Sequence, residues 1–351
     1  MSRLHVSPAV LAALGAAILF GGSIPFAKQL VGDLSPLLLA GLLYLASGIG
    51  LIFARCIRDK GWSYPQLLNK EWPWLLGTIG FGGIMAPVLL MFGLIWTSAA
   101  SASLLLNLEA VLTAMLAWWV FKENTDRRII FGMLLIVAGG IVLSWPNEAT
   151  PQQNWLGSLA IAGACLCWAI DNNLTRKVSA TDALFIAGSK GFVAGIVNTG
   201  LALILGATLP AWSNLSFALL IGFFGYGISL VLFVLALRGL GTARTGAYFS
   251  IAPFIGVAIA ILFFHETTSV LFWVAAILMS IGIWLHLTEH HDHVHTHEFL
   301  FHHHSHIHDE HHQHQHDFPW NGTEPHTHPH QHETITHSHP HYPDIHHRHK
   351  H

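Results

Sequence analysis

Histidine recurs at every second position in several runs after residue 290, as in HHDHVHTHEFLFHHHSHIHDEHHQHQH. In an extended chain, successive side chains lie on opposite faces, so alternate imidazoles share one face. Neutral imidazole suits nickel, cobalt, zinc and copper, and its ordinary pKa of about 6.5 leaves most rings unprotonated at neutral pH. We therefore predict that this region binds a divalent transition metal. The predicted ligands are His291, His293, His295, His297, His302, His304, His306, His308, His312, His314, His316, His326, His328, His330, His332, His337, His339 and His341.

The region 289–351, which we call the tail, differs in composition from the rest of the chain. It holds 25 of the 28 histidines, with nine acidic and two basic residues. Such a polar segment cannot bury an apolar core, and we expect it to be disordered without metal. An expression tag would be a short uniform run, whereas Asp, Glu, Pro and Thr interrupt these histidines. Low-complexity drift without function is the remaining alternative.

The residues before the tail are too apolar for a soluble domain. The whole chain is 52% hydrophobic and 10% charged, against about 25% charged in ordinary soluble domains. A helix of about 20 apolar residues spans a bilayer core. Ten such segments lie near 8–27, 34–54, 73–94, 98–120, 129–145, 155–175, 183–206, 214–236, 243–264 and 270–288. The sequence predicts an all-α polytopic membrane protein with ten transmembrane helices, for which the lipid bilayer is a partner and nucleic acid is not.

Lysine and arginine mark one side of the predicted membrane. They follow the second, fourth, sixth and eighth segments, while the intervening loops contain none except Lys28. By the positive-inside rule, both termini then lie in the cytoplasm. We expect a multi-pass protein of the cytoplasmic (inner) membrane whose tail lies inside the cell.

The apolar region also contains an internal repeat. Glu123 and Glu266 follow similar aromatic-rich segments, and Gly139 and Gly282 match in the segments after them. Likewise, the stretch from 15 to 30 matches the stretch from 163 to 178. Because five helices per repeat is an odd number, the second copy must be inverted in the membrane, as in many secondary carriers. The predicted domains are repeats at 8–145 and 155–288, followed by the tail at 289–351.

These features resemble the drug/metabolite transporter superfamily in its ten-helix EamA-type form. The resemblance covers about residues 8–288 and rests on the repeat length, Glu123, Glu266, and the stretches LNLEAVLTAMLAW and WAIDNNLTRKVSATDAL. It implies a carrier, but substrates in that superfamily range from amino acids and nucleotide precursors to drugs. Some members with cytoplasmic His-rich tails resemble nickel or cobalt exporters. This chain departs from its own repeat at Glu109, which Ala252 replaces in the second copy.

The sequence contains none of the usual catalytic motifs. It has no phosphate-binding glycine loop, nucleophile elbow or His-Glu-x-x-His motif, so we predict neither an ATPase nor a hydrolase. Transport would be driven by an ion gradient and would require no cofactor other than metal bound by the tail. A homodimer is one assembly that the sequence allows.

Polar side chains within the apolar segments form the candidate transport site, because ionisable groups in hydrocarbon usually face a cavity or a partner. Helical rise places Asp171 and Lys190 at similar depth, and likewise Glu109 and Asn198. We predict a neutralising Asp171–Lys190 pair with either a structural or a substrate-binding role. Glu109 is predicted to be a protonatable coupling carboxylate, or else a hydrogen-bonding group for a neighbouring helix. The candidate set is Asn107, Glu109, Asp171, Asn172, Asn173, Lys190 and Asn198.

Two further places inside or beside the membrane could hold a metal. Cys167 and Asp171 are four residues apart and share a helix face, where a thiolate and a carboxylate would suit a borderline divalent ion; core packing of Cys167 is the alternative. His265 and Glu266, at the predicted outer end of the ninth segment, could receive a departing ion, or His265 could simply be solvated.

Together these patterns predict secondary-active efflux of a divalent transition metal across the cytoplasmic membrane. Nickel is the first expectation, followed by cobalt and zinc, with the tail collecting or sensing the ion. One alternative is an exporter of a small organic metabolite or amino acid whose tail only senses metal. A second alternative is a membrane-anchored metal store whose helices conduct nothing.

Overall fold

The computed structural model of the chain describes residues 7–65, 67–121, 127–145, 155–179 and 181–287, and four tail segments, 291–296, 300–306, 326–332 and 336–341. Glu123 and the predicted tail ligands His297, His308, His312, His314 and His316 lie outside these described residues.

The membrane body is built of helices. In chain order they are α1 (Pro8–Leu30), α2 (Pro36–Arg58), α3 (Trp72–Thr78), α4 (Ala86–Ile95), α5 (Ala99–Leu105), α6 (Leu108–Phe121), α7 (Arg127–Ser144), α8 (Trp155–Val178), α9 (Ala183–Ile204), α10 (Trp212–Ile221), α11 (Ser229–Phe249), α12 (Ala252–Leu262) and α13 (Val270–Leu287). A 3₁₀ turn, Asn69–Glu71, precedes α3. The first two helices begin alike, with a capping serine followed by proline at the first helical position, where proline's missing N–H costs nothing.

These helices account for the predicted spans. Among the described residues, eight helical stretches of 18 or more residues are apolar enough to cross a bilayer, and two shorter apolar helices, Arg128–Ser144 and Val270–Leu285, accompany them. The predicted all-α polytopic membrane protein is therefore confirmed.

Two helices are interrupted by π-helical segments, in which hydrogen bonds span five residues instead of four. Ile79–Met85 joins α3 to α4, and Gly222–Ile228 joins α10 to α11. They begin 143 residues apart, at 79 and 222, the same offset that separates Glu123 from Glu266. Both copies of the repeat thus carry this distortion in the same place.

The helix α11 contains a sharp reversal. The ring centroids of Phe233 and Phe249 are 5.0 Å apart, whereas a straight helix would separate residues 16 positions apart by about 24 Å. The chain therefore turns back within α11, where the apolar spans Trp212–Leu240 and Thr245–Leu262 meet. This turn separates the predicted eighth and ninth segments.

The core lies where helices of the first half pack against helices of the second. The most extensive pairs are α2 with α9, α7 with α13, α1 with α11 and α4 with α8. In the α2–α9 crossing the two backbones come so close that a Cβ added to Gly191 would lie 2.6 Å from Gly48 N. Small residues permit such approach between membrane helices, and this crossing holds the two halves together.

The described backbone of the tail forms four short strands. They are β1 (His291–Thr296), β2 (Leu300–His306), β3 (His326–His332) and β4 (Thr336–His341), paired antiparallel as β1–β4 and β2–β3. In these four segments the backbone is extended and paired; that the tail as a whole lacks fixed structure without metal stays a prediction. Every strand of a two-stranded ladder is an edge strand, which explains why Pro329 and Pro340 are accommodated.

Candidate transport site

The helices α8 and α9 bring Asp171 and Lys190 together as a buried ion pair. The Lys190 ammonium donates to Asp171 Oδ2, and the two residues are 2% and 3% exposed, respectively. Thr175 Oγ1 donates to the other carboxylate oxygen at 3.0 Å. The pair that equal helical depth predicts is therefore present. Its role, structural or in transport, stays a prediction.

The π segment of the first half packs directly against this pair. A Cβ at Gly82 would overlap the Asp171 carboxyl group, so only glycine fits at this position. The Gly82 carbonyl accepts hydrogen bonds from Tyr44 Oη at 2.8 Å and from Trp168 Nε1 at 3.3 Å. The segment thus fixes two aromatic side chains beside the ion pair.

The second π segment makes the equivalent contact without a charge. A Cβ at Gly225, which lies 143 residues after Gly82, would overlap the Ser23 side chain. Ser23 matches Asp171 when the stretch 15–30 is aligned with 163–178. Ser23 Oγ donates to the Phe20 carbonyl at 2.6 Å. The two halves therefore share a backbone arrangement, but only the second half has a carboxylate at this position.

Glu109 lies in the first turn of α6, just after the interruption at residues 106–107 that separates α5 from α6. Asn172, next to Asp171 on α8, donates to Glu109 Oε1 at 2.7 Å. Both Glu109 and Asn172 are partly exposed. The hydrogen bond gives each of these polar side chains, which would be costly to place against lipid, a partner inside the apolar region.

The other predicted amides do not join this group. Asn107 Nδ2 donates to the Leu104 carbonyl at 2.9 Å, and Asn173 Nδ2 donates to the Ala169 carbonyl at 2.9 Å. Asn198 Nδ2 donates to the Ile84 carbonyl, in the first π segment, at 3.2 Å. Equal depth thus did not bring Asn198 to Glu109, because depth along a helix does not define which face a side chain occupies.

Sequence reasoning missed an aromatic cluster beside the ion pair. The Phe20 ring centroid lies 5.5 Å from that of Trp168 and 5.8 Å from that of Tyr226, and those of Tyr44 and Tyr226 are 5.5 Å apart. The available signal was the position of both tyrosines in the middle of apolar segments, where a phenol hydroxyl needs a partner.

The cysteines of α8 occupy two different environments. Cys167 is 6% exposed and shares the face of Asp171, as expected from the four-residue spacing. Cys165, which sequence reasoning did not select, donates weakly to the carbonyls of Leu105 and Leu106 at 3.8 and 4.0 Å. Among the described residues, no group of three or more His, Cys, Asp or Glu side chains is arranged to hold a metal.

Glu266 joins the two halves at one end of the bundle. Its carboxylate accepts from the backbone N–H groups of Ala99 and Ala100, at 2.9 and 2.8 Å, where α5 begins. Neighbouring His265 is exposed and has a positive φ of 49°. In this conformation Glu266 serves as a helix cap, and the proposed exit role of both residues stays a prediction.

Where α2 ends and α9 begins, an ion network joins the same two helices. Arg55 Nε donates to Asp182 Oδ2 at 2.8 Å, and Arg58 also bonds Asp182. Burial alone would raise the pKa of Asp182, but the hydrogen bonds from Arg58 and Arg55 hold it below its usual value. Hydrogen bonds from Arg58 and Ser63 lower the pKa of Asp59 to about 2.

Comparison with known proteins adds to this geometry. The model of the EamA-like transporter family matches residues 7–145 and 155–288. An uncharacterized transporter of Methanothermobacter thermautotrophicus is 29% identical over 286 residues, which cover 77% of this chain and 83% of the relative. A probable 4-amino-4-deoxy-L-arabinose-phosphoundecaprenol flippase subunit ArnE of Pseudomonas aeruginosa is 36% identical over 111 residues, 31% of this chain and 91% of the relative. One crystal structure matches with a TM-score of 0.62 at 20% identity, covering 80% of this chain and 95% of its own; that likeness concerns the fold alone.

Proposed function

Because the chain belongs to the EamA-like transporter family, we propose that it is a secondary-active exporter of a divalent transition metal, with nickel first and cobalt and zinc next. The tail collects the ion beside the inward-facing mouth, and rocking of the two halves passes it outward.

The observation that carries the metal assignment is the register of the tail strands. His291, His293 and His295 pair with His341, His339 and His337, and His302, His304 and His306 pair with His330, His328 and His326. Directly opposed residues in an antiparallel pair have Cβ atoms about 5 Å apart. Each ladder therefore brings three pairs of histidine positions into register, and paired imidazoles suit ions that take two or more such ligands.

The membrane body supports a cation path. The Lys190 ammonium neutralises the Asp171 carboxylate. The pair therefore has no net charge that would repel a transported cation. Glu109, partly exposed and held by Asn172, then remains as the carboxyl group able to exchange a proton for a cation.

Nickel retention in preloaded cells tests the proposal. Glu109→Gln keeps an oxygen for Asn172 but cannot ionise, so we expect efflux to stop while protein abundance is unchanged. Asp33→Asn, the same change at an exposed carboxylate, is the matched control and should export normally.

Removal of residues 289–351 separates the exporter from a metal store. In an exporter the deletion raises the nickel concentration needed for half-maximal efflux without abolishing it, because the tail supplies ions but does not form the path. If the protein is a metal store, deletion of the tail should abolish nickel resistance, whereas Glu109→Gln should leave that resistance intact. Equal retention in wild type and Glu109→Gln would remove Glu109 from the mechanism.

The aromatic cluster favours a second candidate, export of a small organic amine or amino acid with a metal-sensing tail. Aromatic faces attract organic cations, and Tyr44 and Trp168 both lie beside Asp171 through Gly82. The name of the ArnE relative also contains an amino sugar. In proteoliposomes that contain a pH-sensitive dye, proton movement on addition of amines but not of nickel would select this candidate.

A further inference from the structure

The helices α1, α5 and α12 meet in a close contact between the two halves. A Cβ added to Gly256 of α12 would overlap the Ser103 hydroxyl of α5 and lie 2.9 Å from the Gly21 carbonyl oxygen of α1. A Cβ at Gly21 would in turn overlap the Ala252 carbonyl. Ser103 and Ala252 are 0% and 1% exposed. The backbones of three helices are therefore in direct contact, and the residues between them are withdrawn from solvent.

This contact continues to one end of the bundle. The Phe26 ring centroid, near the end of α1, lies 5.4 Å from that of Phe264, which follows α12. Two residues later, the Glu266 carboxylate accepts hydrogen bonds from the first two N–H groups of α5. The Lys28 ammonium of α1 donates to the Leu94 carbonyl of α4. The ends of α1, α4 and α12 and the beginning of α5 therefore lie together.

The opposite end of the bundle lacks the equivalent contact. The repeat relates α6 to α12 and the last turns of α11 to α5. Among the described residues, α6 packs against α8 as α12 packs against α1, but α6 and α11 form no contact comparable to that of α5 with α12. Because α13 begins four residues after Glu266 and spans the bundle, the tail leaves from this less closely packed end.

We propose that the α5–α12 contact is the outer gate of the carrier and that the Glu266 carboxylate holds this gate closed. With the tail in the cytoplasm, the Glu266 end faces outward, and this conformation is inward-facing. Before a substrate can leave, α5 must move away from α12 and both hydrogen bonds to Glu266 must break. The inference needs only a carrier with two alternating openings and does not depend on which substrate is exported.

The position of Glu266 suits a contact that must form and break. One side chain accepts two backbone hydrogen bonds from the other half of the chain, so a single residue of the second half holds a helix of the first. Glu266 is only partly buried, and water can take over both hydrogen bonds when the gate opens. Removal of its charge should shift the equilibrium about tenfold towards the open gate, because hydrogen bonds to charged groups are the stronger ones.

Cysteine labelling from outside the cell tests the gate. In a chain whose three native cysteines are replaced by alanine, Ser103→Cys puts one thiol into the α5–α12 contact, where a membrane-impermeant maleimide reacts only when the gate opens. We expect slow labelling with Glu266 intact and labelling about tenfold faster in Glu266→Gln. Asp33→Asn, the same kind of change at an exposed carboxylate of the same end, is the matched control and should leave the rate unchanged.

Ser213→Cys measures access of the reagent to this end. Ser213 is exposed, and its neighbour Asn214 bonds Asp33 at 3.2 Å. We expect rapid labelling of Ser213→Cys with and without Glu266→Gln. An absence of labelling there would place this end inside the cell and overturn the proposal.

Two other results would also overturn the proposal. Labelling of Ser103→Cys as fast as that of Ser213→Cys, with Glu266 intact, would show that no closed gate exists. Equal labelling of Ser103→Cys with Glu266 and with Glu266→Gln would show that the carboxylate does not hold the gate. If Glu266→Gln is not inserted into the membrane, Glu266→Asp, whose side chain is one methylene shorter, gives the same comparison and should also accelerate labelling. Because labelling is measured without substrate, failure of nickel efflux leaves this result unaffected.

Discussion

Asp171 and Lys190, on successive helices, form an ion pair that is almost fully withdrawn from solvent. Its counterpart in the first half contains Ser23 in place of the carboxylate. The two halves of the carrier are therefore equivalent in backbone but unequal in charge. Any step that separates α8 from α9 must break the pair, whereas the corresponding movement of α1 and α2 does not.

Asp171→Asn should destabilise the protein, because it leaves a buried ammonium unpaired. Loss of one partner of a buried pair costs about 3–5 kcal/mol, so we expect low abundance and a lower Tm in detergent. Asp171→Asn combined with Lys190→Gln should recover part of the loss. A double variant no more stable than Asp171→Asn would show that the pair does not act by neutralisation.

Gly82→Ala should displace the π segment from α8, because the added methyl group overlaps Asp171. Overpacking of this kind costs about 1–3 kcal/mol, measurable as a lower Tm. Gly80, in the same segment, has no neighbouring atom within 4 Å of an added Cβ, so Gly80→Ala is the matched control and should leave the Tm nearly unchanged. Equal effects of the two changes would mean that backbone flexibility, not the overlap, determines the result.

Glu266→Ala should weaken the joint between the two halves, because two backbone N–H groups of α5 lose their carboxylate acceptor. Hydrogen bonds to charged groups contribute about 1.5–3 kcal/mol each, and water will replace part of this. We expect a lower Tm, with Glu266→Gln intermediate. His265→Ala should leave the Tm unchanged, and its export per folded molecule tests the predicted exit role: a loss of export would support that role and unchanged export would reject it.

Metal binding by the tail should fall steeply as pH drops through about 6.5, because protons compete for the imidazoles. The measurement is nickel bound by the full-length protein minus nickel bound by the protein lacking 289–351, at several pH values. A difference that is constant between pH 5 and 7.5 would refute histidine ligation.

A reporter fused after Lys350 should be active only in the cytoplasm, as the distribution of basic residues predicts. Two separate fusions at this residue, one with a reporter active only in the periplasm and one with a reporter active only in the cytoplasm, should give opposite signals and so control for each other. Periplasmic activity would reject both the predicted orientation and the collection of cytoplasmic metal by the tail.

The sequence was sufficient for the architecture and for one central contact. Apolar segment lengths predict the spans, and the rise per residue brings Asp171 to Lys190. Side-chain direction was harder: Asn198 reaches the Ile84 carbonyl instead of Glu109, because equal depth in the membrane does not define which face of a helix a side chain occupies. The sequence also did not predict the interruption of the helix before Glu109, since neither leucine nor asparagine, the residue types at positions 106 and 107, ends a helix as proline does.

The matched π segments also record the history of the chain. Each contains one residue more than an α-helix with the same ends would need, and both begin 143 residues apart, at Ile79 and Gly222. One insertion in a half-length ancestor, followed by gene duplication and fusion, accounts for both. Two copies are identical at the moment of duplication, so the difference between Ser23 and Asp171 arose afterwards. On this account the shared distortion is older than the duplication, and the difference in charge between the halves is younger.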